Sequence, residues 1–187
     1  MLPKDMLNIM RIRIYKTQDA ETLLSIAQCA SEADATTPPD PIAFLAWLAD
    51  PLLDATANAF VMTDDDDELQ TWGQAGTLEG IEGEIVGYTV LQFHQDTTGY
   101  HFLCQGAVHP DFRRQYAGSV LFVGALNRAR LLALEFDFEA EEAGLSITFS
   151  ALLPINDPTS PRIATKYEME PVAESAPPGL QLYRREI

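Results

Sequence analysis

The segment at residues 108–121 carries side chains that could bind an anion. It reads Val-His-Pro-Asp-Phe-Arg-Arg-Gln-Tyr-Ala-Gly-Ser-Val-Leu and includes the adjacent cations Arg113 and Arg114. Alternating apolar residues precede it and apolar residues at helical spacing follow it, which predicts a strand, a basic loop and a helix start. A helix start offers unpaired backbone N–H groups and the positive end of the helix dipole. Together with two guanidinium groups, these features suit a phosphate.

These residues resemble the phosphate-binding motif of the GNAT superfamily of acyl-CoA-dependent N-acetyltransferases. In that family a strand reading roughly V-x-P-x-[YF]-R leads into [QR]-x-x-G-x-[GA], whose backbone amides hold the pyrophosphate of coenzyme A. The matching positions are Val108, Pro110, Phe112, Arg113, Gly118 and the following Leu121. Tyr116 stands where the family has its first glycine. A residue with a Cβ fits this position at little cost only if its φ is negative, whereas glycine also tolerates a positive φ. We therefore expect weaker binding of the coenzyme.

The resemblance implies acetyl-CoA as the acyl donor and a set of residues that bind it. The implied cofactor-binding residues are Ala107, Val108, Arg113, Arg114, Gln115, Tyr116, Ala117, Gly118, Ser119 and Asn156. An amide of Ala107 or Val108 would polarise the thioester carbonyl as an oxyanion-type donor. In the family this strand splays from its neighbour. Gly106 interrupts the alternation here and indicates a bulge, a close approach to another backbone, or simply a core position.

The groups that would move protons depart from the family pattern. Many members protonate the leaving thiolate with a tyrosine in L-Y-x-K-x-G-F, and Ala164 occupies that position here. Tyr167, about one helical turn further on, is the candidate catalytic acid, with filling of a core position as the alternative. Residues 100–108 contain no carboxylate to act as base. Two hypotheses follow: an N-acetyltransferase acting on an amine of unknown identity by direct attack, or a catalytically silent domain that binds coenzyme A, regulates or dimerises.

The rest of the chain supplies the elements that would position this segment. Strands are predicted at residues 11–15, 58–63, 84–93, 100–108, 145–153, 169–173 and 179–185. Helices are predicted at residues 20–33, 41–48 and 162–167, and from Ala117 to at least Leu134 with a possible extension to a Gly144 cap. By resemblance this order gives an α+β (α/β) GNAT-like fold. Residues 1–187 would form one domain, a mixed, mostly antiparallel central sheet of about seven strands flanked by about four helices.

Composition and charge bound the class of protein and of partner. The chain has 187 residues, 47% of them hydrophobic, which is typical of one globular domain. Twelve basic and 28 acidic residues leave a net charge of −16, which argues against nucleic acid or a membrane as partner. A small-molecule or peptide amine, attracted if cationic, is the expected partner, and a homodimer stays open. Without a membrane-length apolar run or a signal-peptide core, a cytoplasmic location is expected.

Two further groups of residues contain side chains of the types that bind metals, but neither has the spacing of a metal site. Cys29 and Cys104 lack the short spacing of a metal site, and both are expected to be buried small hydrophobic residues without a disulfide. The acidic run from Asp64 to Glu68 lacks the glycine and glutamate register of an EF-hand. We therefore predict no metal and interpret the run as a solvated hairpin tip.

Overall fold

The computed structural model describes residues 10–64, 83–174 and 176–187. Its strands are β1 (Met10–Ile14), β2 (Ala59–Asp64), β3 (Glu84–Gln95), β4 (Gly99–Val108), β5 (Ser146–Pro154), β6 (Glu170–Pro171) and β7 (Leu180–Glu186). Its helices are α1 (Ala20–Asp34), α2 (Pro41–Leu48), α3 (Ala55–Asn58), α4 (Ala117–Ala133), α5 (Asp137–Ala143) and α6 (Ser160–Lys166). The predicted seven strands are confirmed. The described residues hold six helices instead of about four, because α3 was missed and α5 is separate.

The strands form one mixed sheet in the order β1-β2-β3-β4-β5-β7-β6. Neighbours are antiparallel except for β4 and β5, which are parallel and are joined through α4 and α5. Pairing between β4 and β5 ends at Cys104 opposite Ala151. Since β4 continues to Val108 and β5 to Pro154, the two strands part over their last residues. This is the splay that the resemblance implied.

Helices cover both faces of the sheet and divide the core in two. On one face, α1 and α2 pack Leu23 and Phe44 against the side chains of β2 and β3. On the other face, α4 packs against β4 and β5 around Phe102 and Phe149, both of which are completely buried. The alternation of side chains along β4 thus directs alternate residues to two different helix layers.

The long helix predicted to extend as far as Gly144 is divided into α4 and α5. The two helices are bent by 66° at their junction. There the ring of Phe136 stacks on Phe93 of β3 at a centroid distance of 5.0 Å and on Tyr100 of β4 at 4.7 Å. Gly144 does end α5, with a φ of 65°. No single helix in the described ranges is long and apolar enough to cross a membrane; α4 and α5 meet that requirement only together, across the bend.

An ion pair ties β1 to the start of α1. The guanidinium of Arg13 donates two hydrogen bonds to the carboxylate of Asp19, at 2.8 and 3.0 Å. Burial of Asp19 acts to raise its pKa, but hydrogen bonds from Arg13 and from the Lys16 N–H outweigh it and hold that pKa below its ordinary value.

The cysteine prediction is half right, and most of the acidic run lies outside the described residues. Both thiols are free, and Cys104 is buried as predicted, but Cys29 is only partly buried. Cys29 lies at the edge of the apolar stripe of α1, between exposed Gln28 and buried Ala30. Of the acidic run only Asp64 is described, and within the described residues no group of three or more His, Cys, Asp or Glu side chains is placed to hold a metal ion.

Candidate active site

The loop between β4 and α4 contains two residues in the left-handed backbone region. Arg114 has a φ of 66° and Tyr116 a φ of 67°, and the Tyr116 side chain is 81% exposed. The cost of a Cβ at position 116 depends on the sign of φ, and φ is positive here. A residue other than glycine in this region carries a strain of about 1 kcal/mol or more. Tyr116 therefore strains the backbone at the position where the motif has glycine.

The loop leads directly into the first turn of α4. The first hydrogen bond of the helix runs from Val120 N–H to Tyr116 O at 3.0 Å. The N–H groups of Ala117, Gly118 and Ser119 precede it and point out of the helix start, where the helix dipole is positive. A Cβ built on Gly118 would meet only a Val108 methyl at 3.7 Å, so the protein leaves room beside this turn.

Arg113, predicted to bind phosphate, is engaged within the protein. Its guanidinium donates to both carboxylate oxygens of Asp34, at 2.6 and 2.9 Å, and its Nε donates to Val108 O at 3.2 Å. Asp34 is the last residue of α1 and is 6% exposed. The hydrogen bonds to Asp34 outweigh the effect of burial and raise the pKa of Arg113 above its ordinary value, so its charge is permanent.

Asn156, which was predicted to bind the cofactor from the turn after β5, meets the same end of α1. Its side-chain amide donates to Asp34 O at 2.9 Å. Asp34 therefore joins three segments: its own helix, the basic loop through Arg113, and the turn after β5 through Asn156. The structure thus brings the sequence-predicted Arg113 and Asn156 together through a residue that sequence reasoning missed. Nothing in the local pattern marks Asp34, which is 79 positions from Arg113.

Arg114 differs from its neighbour in both exposure and contacts. Its side chain is exposed, and no hydrogen bond or ion pair joins it to any residue in the described part of the chain. Gln115 and Tyr116 beside it are exposed as well. Of the two arginines, Arg114 is therefore the one whose guanidinium is available to a ligand.

The phase of the β3–β4 ladder determines which amide faces the splay. His109 N–H donates to Val86 O at 2.8 Å, and the register is unshifted along the whole ladder. Because the direction of the backbone N–H alternates along a strand, the N–H of Ala107 points toward β3 and that of Val108 points away from it. Of the two predicted donors, Val108 is the one directed into the gap between β4 and β5.

Gly106 is explained by a close approach rather than by a bulge. A Cβ at this position would lie 2.3 Å from Tyr88 O and 2.9 Å from the Cα of Thr89, both in β3. The unshifted register leaves no extra residue in β4. The glycine lets β3 come close on one side, while on the other side no strand of the described residues pairs with β4 at this position.

Tyr167 packs against α4. Its ring stacks on that of Phe122 at a centroid distance of 4.9 Å, and Phe122 in turn meets Phe149 of β5 edge-on at 5.5 Å. Ala164, which stands in the place of the family's tyrosine, is 2% exposed. The ring of Tyr167 therefore contacts the core, as in the packing alternative, and its role as an acid stays a prediction.

The opposite end of β4 holds a polar cluster that sequence reasoning did not single out. His101 Nδ1 lies 2.8 Å from Thr148 Oγ1 of β5, and His101 Nε2 lies 3.1 Å from Asp96 Oδ1. Asp96 Oδ1 also accepts from the backbone and the hydroxyl of Thr98, at 2.7 and 2.6 Å. The Asp-Thr-Thr-Gly turn was a signal for the last two contacts, whereas the pairing with β5 has no local signal.

A family model agrees with this arrangement of strand, loop and helix. The model of the acetyltransferase (GNAT) family matches residues 24–142, well over half of the chain. The chain belongs to the GNAT family. The matched range includes most of α1 with Asp34, the splayed strand β4, the basic loop and α4. A search of curated protein sequences found no match.

Solved GNAT structures share the fold at low sequence identity. The ribosomal-protein-S18-alanine N-acetyltransferase from Escherichia coli is 15% identical with a TM-score of 0.58, and the match covers 96% of this chain and 94% of that one. For yncA from Salmonella typhimurium, solved with its cofactor acetyl-CoA, the values are 17%, 0.60, 95% and 93%. For a GCN5-related N-acetyltransferase from Sphaerobacter thermophilus they are 17%, 0.61, 92% and 45%, so this chain spans under half of that protein. The predicted fold is confirmed.

Proposed function

We propose that this GNAT domain transfers the acetyl group of acetyl-CoA to an amine by direct attack. The observation that carries the proposal is the open end of β4: the Val108 N–H faces the splay, next to the start of α4. A hydrogen-bond donor and a positive helix end are thus placed beside each other, as a thioester and a pyrophosphate require. Membership of the family and the acetyl-CoA of yncA support the choice of donor.

The residues present fit the coenzyme's pyrophosphate at two places. The N–H groups of Ala117, Gly118 and Ser119 would hold the pyrophosphate, with room beside Gly118, where the nearest neighbour is a Val108 methyl. Arg114 would add the cation, since its side chain is exposed and makes no ion pair with the described residues. Acetyl-CoA, when bound, supplies the thioester carbon that the amine attacks.

The protein's part in the reaction is to position, polarise and handle protons. The Val108 N–H donates to the carbonyl oxygen as negative charge develops on it. A bond forms between the amine nitrogen and the acetyl carbon, the carbon–sulfur bond breaks, the amine proton leaves, and the sulfur takes up a proton. Because β4 carries no carboxylate, water relays the amine proton in this proposal.

The acceptor, the location and the assembly are proposed on charge and composition. The net charge of −16 favours a cationic small-molecule or peptide amine over an anionic one. It disfavours nucleic acid and anionic membrane surfaces. We propose a single-domain cytoplasmic protein on the same grounds, and a homodimer stays open.

A catalytically silent domain is the second candidate. Two observations favour it. Buried Ala164 stands where many family members have the tyrosine that acts as general acid, and Tyr116 is strained where the motif has glycine. Such a domain would bind coenzyme A, regulate a partner or dimerise without transferring the acetyl group.

Acetyl-CoA binding and transfer together separate these possibilities. Calorimetry should give a dissociation constant for acetyl-CoA in the micromolar range or weaker. The basic loop is present, but Tyr116 replaces the first glycine of the motif. Release of free thiol should then be followed with a panel of amines of different charge. Transfer to any of them supports the enzyme, whereas binding without transfer to any supports the silent domain. Absence of both heat and thermal shift at millimolar acetyl-CoA would discard the proposal.

The role of Tyr167 is tested by removing its hydroxyl. If Tyr167 serves packing against Phe122, Tyr167→Phe should retain turnover, while Tyr167→Ala should lower the free energy of unfolding by about 3 kcal/mol. If it protonates the thiolate, Tyr167→Phe should lower turnover roughly 10²-fold with normal acetyl-CoA binding. We expect the first outcome, since the ring stacks at 4.9 Å on Phe122.

A further inference from the structure

The two adjacent arginines of the basic loop are in different situations. Arg113 is held by Asp34 and by Val108 O, whereas Arg114 is exposed and makes no hydrogen bond or ion pair within the described ranges. For Arg113 to bind a phosphate through its fork, it would have to leave a carboxylate that is 6% exposed. A buried carboxylate that loses its counter-ion is strongly destabilising.

The position of Asp34 supports a dedicated pair. Asp34 is the last residue of α1, where the negative end of the helix dipole disfavours an acid. The last turn of α1 contains no basic residue. Arg113 therefore neutralises the charge of Asp34, which α1 itself does not compensate. It does so with two charge-assisted hydrogen bonds.

The contacts of Arg113 reach the groups that would contact the cofactor. Its Nε holds the carbonyl of Val108, the residue whose N–H faces the splay, and its backbone begins the loop that leads to α4. Asn156, after β5, bonds to the carbonyl of the same Asp34. The three contacts thus connect the end of β4, the loop and the turn after β5 to one point on α1.

We propose that Arg113 is a positioning residue, held by Asp34, that fixes the loop and the end of β4 so that their backbone amides face acetyl-CoA. It does not itself bind the pyrophosphate. The inference rests on the proposed function, since it concerns the site at which acetyl-CoA would bind. It assigns Asp34 a part in cofactor binding through Arg113.

A substitution at Asp34 gives results of opposite sign for the two roles of Arg113. If Arg113 bound the pyrophosphate, Asp34→Ala would free its guanidinium and remove a nearby negative charge, so acetyl-CoA would bind as tightly as before or more tightly. If Arg113 positions the loop, Asp34→Ala should raise the dissociation constant of acetyl-CoA roughly tenfold to a hundredfold, as the loss of a charged hydrogen bond does. Arg113→Ala should do the same, and the double variant should be no worse than either single one.

The conservative variant Arg113→Lys adds a second criterion. A lysine serves a phosphate as a point charge but cannot reproduce a fork on a carboxylate together with a bond to a carbonyl. Positioning therefore predicts that Arg113→Lys resembles Arg113→Ala in both Kd and the KM for acetyl-CoA. Phosphate binding predicts substantial rescue. The KM for the amine should stay unchanged in either variant if only the cofactor side is disturbed.

The ion pair of Arg13 and Asp19 provides a matched control. It has the same fork geometry, at 2.8 and 3.0 Å, and a similarly buried carboxylate, but it joins β1 to the start of α1. Arg13→Ala should lower the denaturation midpoint. It should leave the Kd of acetyl-CoA within about twofold of the wild-type value, which corresponds to about 0.4 kcal/mol. If Arg13→Ala weakened acetyl-CoA binding as much as Arg113→Ala does, loss of stability alone would explain the effect. That result would overturn the inference.

The remaining outcomes distinguish the inference from the function on which it rests. A wild-type protein that shows no acetyl-CoA binding in calorimetry removes the proposed function and the inference with it. A wild-type protein that binds, with Asp34→Ala binding equally or more tightly, leaves the function standing and removes only the inference. Parallel losses in Asp34→Ala, Arg113→Ala and Arg113→Lys, with Arg13→Ala unchanged, establish Arg113 as a positioning residue.

Discussion

The two ends of β4 are built in opposite ways. At the hairpin end the strand pairs with β3 on one side and β5 on the other, and His101 joins Asp96 to Thr148 across both. At the other end, beyond Cys104, β3 is the one strand of the described ranges that pairs with β4, and Val108 N–H faces the gap. One strand thus joins two neighbours at one end and, among the described residues, pairs on one side at the other.

Each end of β4 contains a glycine that lies close to a neighbouring strand, and the neighbouring strand differs between the two ends. A Cβ on Gly99 would lie 2.0 Å from Ser146 O, so this glycine lets β5 come close. A Cβ on Gly106 would lie 2.3 Å from Tyr88 O, so that glycine lets β3 come close instead. The difference shows that the splay does not arise from a loosened strand: the open end of β4 is tightly held, but on one side only.

The largest expected effect is the loss of one amide at the open end. Val108→Pro removes an N–H that is directed away from β3, so the ladder should persist and the protein should stay folded. Turnover should fall roughly 10²- to 10³-fold, as it does when an oxyanion donor is removed. Thiol release at saturating acetyl-CoA and amine measures this, with circular dichroism to monitor the fold.

The matched control is the neighbouring residue, whose N–H points to β3. Ala107→Pro should lose a ladder hydrogen bond and lower the free energy of unfolding by about 1–3 kcal/mol, the cost of a buried acceptor left without its donor. If the two proline variants were equally unstable, the one-sided description of this end of β4 would be wrong.

Alanine at each glycine tests whether both ends are equally tight. A new Cβ at position 106 or 99 would press on a backbone oxygen, and such overpacking costs about 1–3 kcal/mol. We expect Gly99→Ala to be at least as destabilising as Gly106→Ala, because its Cβ would lie closer to a carbonyl oxygen, at 2.0 Å. Urea unfolding of both variants gives the comparison. A neutral Gly106→Ala would show that β3 can move away and that the open end is loose after all.

A smaller effect, and a favourable one, is expected at Tyr116. Glycine removes the strain of a φ of 67°, so Tyr116→Gly should raise the free energy of unfolding by about 1 kcal/mol. It should also tighten acetyl-CoA binding, because no Cβ would remain where the motif has glycine. Tyr116→Ala keeps the Cβ and should show neither gain. Equal behaviour of the two variants would assign the effect to the exposed ring rather than to the backbone.

The smallest effect concerns acid stability at the hairpin end. Hydrogen bonds from the hydroxyl and backbone of Thr98, and from His101, hold the pKa of Asp96 well below its ordinary value. The stability this adds is fully present above the unfolded pKa of about 3.9 and is lost as the pH falls through the folded pKa. Asp96→Asn should therefore differ most from wild type near neutral pH and converge with it in acid. Urea midpoints between pH 7 and pH 2 measure this, and a constant difference would contradict it.

Sequence periodicity predicted most of the fold because most elements are defined by local patterns. The helix Pro41–Leu48 was predicted to the residue, since the proline at its first position marks its start. The separate α5 was missed because the break depends on Phe136, whose ring leaves the helical pattern to stack on Phe93 and Tyr100. No window of residues near Phe136 contains those partners.

The candidate site was predicted in its place but not in its contacts. The motif located the loop, and the family resemblance implied the splay beside it. The pattern could not say that Arg113 would be taken up by Asp34, or which of Ala107 and Val108 faces the gap. The first depends on a residue 79 positions away, and the second on the phase of a ladder that only the paired strands define.

The convergence of three segments on Asp34 has a consequence for the order of folding. Its bonds to Arg113 and Asn156 close loops across 79 and 122 positions of the chain, and long closures form after local structure. The parallel pairing of β5 with β4 must also wait for α4 and α5 to cross over. We therefore expect the splayed end of β4 to be the last part to acquire native structure during refolding, well after the β3–β4 hairpin.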